Sequence, residues 1–207
     1  MRIGIENFGG RVASVWEGLR STTRSLVERA LQSSGAAQPA RGEGRPYDAR
    51  ADWELSRLLA ALDERSAEGD ASLDAEQARE LFRMADTTAL VLQGQTQSAE
   101  VFAQLVSRAH RLRDYARIDQ LADALAARFA PSEICELARS HNAVVRALAQ
   151  EALAQSPTGL LIGLLADPVD SEIARGALEL QAADYGLEDA RRVVQILEQA
   201  DAAEDDS

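Results

Sequence analysis

At 207 residues the chain is long enough for one good core, or for one domain plus an appendage; aromatics make up only 4% of it, whereas Ala occurs 39 times. Ala and Leu at this density favour close helix packing, and β-branched and aromatic residues are too sparse for a sheet protein, so the expected class is all-α. All 22 basic residues are Arg, which excludes the chemistries that need a Lys amine: a P-loop, a protein-kinase site and Schiff-base catalysis.

The net charge of −12 is spread unevenly. Residues 1–50 carry eight Arg against five acids, and residues 51–207 carry 14 Arg against 29 acids. An acidic body repels nucleic acid and anionic membrane, so neither is the expected partner. Cys135 is the single cysteine, which rules out an intramolecular disulfide and suits a reducing compartment. The longest apolar run, Leu160–Ala166, is far too short to span a bilayer, and a cytoplasmic location is expected.

In chain order, a Gly9–Gly10 break precedes an amphipathic stretch. Val12, Val15, Trp16, Leu19, Thr23, Leu26, Val27, Ala30 and Leu31 keep helical spacing, which predicts one helix within residues 1–32. Residues 33–50 are rich in Gly, Pro, Ala and Arg and read as a flexible linker holding the lone aromatic Tyr47. A helical body is expected over 51–203, then an acidic tail at 204–207. Its first helix should bury Trp53, Leu55, Leu58, Leu59 and Leu62. Ser72 or Asp74 should cap the next helix, and one after it carries Val101, Phe102, Leu105, Val106 and Leu112. Asp114 starts another, with Ile118, Leu121, Leu125 and Phe129 inward. Pro131 and Pro157 suit first helical turns, beside Ser132 and Ser156 as caps. The later helices are short, with loops of a few residues, which gives antiparallel pairs.

Two of these pairs align, Leu137–Leu153 with Leu165–Leu180, and place Arg146 and Arg175 29 residues apart; Arg117 lies another 29 before Arg146. A helix ending in Leu, a polar turn, then Val/Ile-x-Arg or Val-Arg followed by Ala and Leu resembles HEAT-type repeats over about residues 131–183. The resemblance implies an α-solenoid in which each pair contacts mainly its neighbours and one surface recognises partners. Arg146 and Arg175 would then sit between repeats in structural roles. The period is shorter than the family's usual 40 or so, which leaves an irregular bundle as the other arrangement.

Nothing in the sequence specifies a chemistry. His110 and His141 have no acid three residues before them, and no Gly-x-Ser-x-Gly, Cys-x-x-Cys or Gly-x-Gly-x-x-Gly occurs. His110 with Asp114 would share a face if one helix ran through both. Asp119 and Asp123 read as a solvated face, and Cys135, flanked by Glu133 and Glu136, reads as a structural thiol. The sequence therefore predicts neither catalysis nor a cofactor nor a metal.

The strongest single feature is the helix holding Trp16. It can pack on the body, dock into a partner, or lie on a membrane, and its linker favours an independent role. The expectation is a non-enzymatic adaptor that binds another protein, with Val15, Trp16, Leu19, Leu26 and Val27 as the docking face. A peripheral membrane protein and a helical-repeat enzyme are the alternatives. Self-association stays open.

Overall fold

A computed structural model describes residues 4–33, 47–68 and 73–205. Helix accounts for 81% of the described residues, far above the third usual in soluble proteins, and they contain no strand, so the all-α expectation holds. Two compact units divide after Leu105.

The first unit starts with a short 3-10 turn, Ile5–Phe8, whose Phe8 is fully buried. Gly9 then takes φ +103°, a backbone that favours glycine, and turns the chain into α1 (Gly10–Gly18). Helix α2 (Ser21–Gln32) follows after two extended residues, and α3 (Ala49–Ala67) and α4 (Ala75–Gln95) form the main packed pair. Asp48 caps α3 by accepting from the Arg50 and Ala51 N–H groups. Asp74 caps α4 in a reciprocal box with Gln77.

The single N-terminal helix expected from spacing is two helices. Leu19 and Arg20 are extended at ψ 145° and 150°, directly after Gly18, the poorest helix former in the stretch. The bend is held by a buried acid: the Arg20 N–H and Nε and the Thr23 hydroxyl all donate to Glu54 of α3, which is 4% exposed. Nor is this segment an appendage. Helix α1 packs on α3, and α2 packs on α4 and α3, burying Val12, Leu19, Thr23, Val27 and Leu31. Of the expected linker, residues 34–46 lie outside the described residues. Tyr47, at its end, donates to Asp52, and Asp48 pairs with Arg20 at 2.9 Å.

Helix α5 (Ala99–Arg111) begins in the first unit, where Gln104 bonds Ser56, and ends in the second. The second unit continues with α6 (Tyr115–Arg128), α7 (Pro131–Ala138), α8 (Ala143–Ala154), α9 (Thr158–Leu164), α10 (Ser171–Ala183) and α11 (Glu188–Asp205). Besides packing on its chain neighbour, α8 touches α6 and α10, and α9 touches α7 and α11. Glu204 and Asp205, the start of the expected acidic tail, still belong to α11, and residues 206–207 lie outside the described residues.

Several local expectations need correction. Ser132 and Ser156 cap nothing: Pro131 opens α7, where Glu133 reaches back to the Ala130 N–H, and the Ser156 hydroxyl donates to Ala152 inside its own turn. Trp53 is 57% exposed, not core, because α3 buries the Leu55–Leu58–Leu59–Leu62 face and leaves Trp53 beside it. Leu112 is exposed because α5 has already ended.

Candidate functional site

Helix α3 carries a second row at helical spacing, Trp53, Arg57, Ala60 and Glu64, next to its buried leucines. The Arg57 guanidinium lies 4.8 Å from the centre of the Trp53 ring, a cation–π stack that holds an exposed aromatic in one pose. Glu64 forms two bonds with Arg11 of α1, at 2.7 and 3.0 Å, which fixes α1 alongside α3. Between the two helices runs an open groove of about 300 Å³ lined by Arg11, Ser14, Val15, Arg57, Ala60 and Ala61.

This geometry sorts the five sequence-predicted docking residues. Leu19 is 4% exposed and Val27 fully buried, so both belong to the core of the first unit and cannot form a free docking face. Trp16 and Leu26 are half-buried. Only Val15 lines the groove. The buried part of the stripe, Val12, Leu19, Thr23, Val27 and Leu31, packs on α3 and α4. Trp53 and Arg57 were missed because helical spacing alone assigns Trp53 to the core stripe. The available signal was their i, i+4 separation, which stacks Arg on Trp along a helix.

Helix α3 also carries a buried polar node on Glu54. Burial works to raise this carboxyl; the Thr23 hydroxyl, the Arg20 N–H and the Arg20 charge outweigh it and hold the carboxyl below its ordinary range. Asp48 is likewise lowered, first by the Ala51 N–H, with burial opposing it and Arg20 adding to it. On the same helix Asp52, 1% exposed, accepts from Tyr47 and from Gln95 of α4. Every carboxylate oxygen of this node accepts from the protein's own donors, so the node fastens α2, α3 and α4 together.

The remaining candidate groups stay apart. His110 lies in the last turn of α5 while Asp114 caps α6 and pairs with Arg117, so the two do not share one helix face. Asp119 and Asp123 are exposed on α6, and His141 is exposed in the turn before α8. Cys135 is fully buried; burial, reinforced by Asp170, pushes its thiol up to about 11. Among the described residues no group of three His, Cys, Asp or Glu converges to hold a metal, and no helix is long and apolar enough to cross a membrane.

Arg146 and Arg175 sit at the fourth and fifth residues of α8 and α10, but their partners differ. Arg146 donates to the Ser140 carbonyl in its own turn, while Arg175 pairs with Glu179 and with Asp201 of α11. The tie between the two hairpins is one the sequence did not disclose: Arg139 bonds Asp170 at 2.6 Å and the Val169 carbonyl. Compared with known protein families, curated proteins and solved structures, the chain matches none.

Proposed function

We propose that this chain is a cytoplasmic, non-enzymatic adaptor that binds another protein through the Trp53 face of its first unit. One observation carries the reading: Trp53 is 57% exposed, braced by Arg57, and stands beside a groove that includes Val15. Burying so large a side chain in the core would stabilise the fold by about 2–3 kcal/mol, yet the sequence keeps it in solvent. Trp and Arg are the residue types that dominate binding energy at interfaces, most of all when they are already ordered.

The second unit is read as a short HEAT-like array. Its helices touch alternate neighbours, as stacked hairpins do, and the buried set Val145, Ala149 and Ala152 recurs 29 residues later as Ala174, Leu178 and Gln181.

The test is affinity purification of the tagged full chain from its own cells, beside Trp53→Ala and Arg57→Glu. A specific co-purifying protein should be lost with either change while the melting temperature stays within about 2 °C, since exposed substitutions cost little. Partners retained at wild-type levels by both variants would refute the Trp53 face.

A further inference from the structure

Between α8 and α10 the second unit has its own groove, of about 420 Å³, floored by the buried Leu153 and Ala177 and bordered by Leu180, with Gln150 and Glu172 at its rim. We infer that this groove seats a basic amphipathic helix from a partner protein. Three observations converge on that occupant.

The first is Gly176, in the middle of α10 and in the groove wall. A side chain there would meet nothing within 4 Å, so neither packing nor its backbone asks for glycine, although glycine weakens a helix relative to Ala. A bare helix wall lets another backbone approach closely. The second is charge. Among the described residues Glu172 has no hydrogen-bond or ion-pair partner, and no Arg lines the groove. The nearby guanidiniums are committed elsewhere, Arg146 to Ser140, Arg175 to Asp201 and Arg139 to Asp170. The surrounding unit, 106–207, holds ten Arg against 18 acids. A cationic residue therefore fits this rim and an acidic one is repelled.

The third is backbone satisfaction. The walls are helices whose own N–H and C=O groups are paired within the helix, so an extended segment would find no ladder here. A helical guest brings its backbone bonds with it and needs only apolar side chains at i, i+3, i+4 and i+7 to fill the groove.

This inference shares the adaptor reading only in kind, because the Trp53 face belongs to the other unit; Trp53→Ala serves as the control that separates the two failures. The probe is a synthetic 18-residue amphipathic peptide with Leu and Ala on one face and Arg along its edge, beside a twin with Glu in place of Arg. Binding to the full chain is read by fluorescence anisotropy. The Arg peptide should bind and the Glu twin should not. Gly176→Leu puts a side chain into the groove wall at a position where a Cβ meets nothing within 4 Å, so it should cut binding by about tenfold or more with an unchanged or raised melting temperature. Glu172→Arg should weaken the Arg peptide about two- to fivefold, the range of an exposed ion pair. Glu198→Arg, an equal charge change on α11 outside the groove, should leave it unaltered, as should Trp53→Ala. Equal binding of the two peptides, a Gly176→Leu variant that binds normally, or equal losses in Glu172→Arg and Glu198→Arg would each overturn the inference. So would sedimentation showing that the chain alone dimerises and that Gly176→Leu abolishes the dimer, since the occupant would then be a second copy.

Discussion

Arg113 holds φ +56° in the turn after α5, where its N–H and that of Asp114 close the helix end by donating to the His110 and Ala109 carbonyls. Glycine is the usual residue there, and a side chain costs about 1 kcal/mol. Arg113 is exposed and has no ion pair among the described residues, so Arg113→Gly should stabilise the protein by about 0.5–1 kcal/mol in urea unfolding; a loss of stability would mean the guanidinium has a role of its own. At Glu54 the balance runs the other way. Four donors meet one carboxylate that is 4% exposed, and removing it strands Arg20 and Thr23. Glu54→Ala should cost about 3 kcal/mol, near the lower end for breaking a buried pair because Arg20 itself keeps some solvent. Neither position announces itself in the sequence. Glu54 is one of 34 acids, and its partners Arg20 and Thr23 lie 34 and 31 residues away.

At the scale of elements, most helices and some caps were legible and tertiary partners were not. Asp74 and Asp114 cap where side-chain chemistry says they should, because a cap is a contact over two or three residues. The break at Leu19–Arg20 was invisible, since α1 and α2 bury their faces on the same side and the stripe continues through the bend. What α1 and α2 pack against was equally hidden, because an amphipathic stripe states that a face is buried and not by what. The difference is measurable. Val27 is fully buried and Leu26 only half, so Val27→Ala should lower stability by about 2 kcal/mol and Leu26→Ala by less than half of that. Equal, negligible losses would return the segment to solvent and revive the docking helix. In the second unit Gln181 plays the fastening role. Fully buried, it donates to the Ala154 and Ser156 carbonyls and accepts from the Thr158 hydroxyl, joining α10 to the α8–α9 turn. The 29-residue register pairs it with Ala152, so no repeat pattern could have flagged a buried amide there.

Over the whole molecule, the charge imbalance and the internal carboxylates pull in opposite directions as pH falls. Protonating exposed acids relieves the repulsion of a −12 chain, but at 0.15 M salt exposed charges are screened over about 8 Å and this gain is small. Glu54, 4% exposed, is screened less. Glu54 and the exposed Asp48 and Glu151 all have native carboxyls below their ordinary range, Glu151 first through the Tyr185 hydroxyl at 2.7 Å and then through Gln155. For a carboxyl lowered in the native state, the unfolded chain binds protons first on acidification. The stabilisation is therefore complete above the ordinary carboxylate range, about pH 5, and is lost progressively as pH drops through about 4 and below. Thermal unfolding at constant ionic strength should be flat from pH 7 to about 5 and fall steeply by pH 3. Glu54→Gln should start from a lower melting temperature and show a shallower acid slope, because one of the groups that must be protonated is gone. A melting temperature that rose toward pH 3 would mean that relief of surface repulsion outweighs the internal pairs, and the Glu54 node would then not be the principal fastening of the first unit.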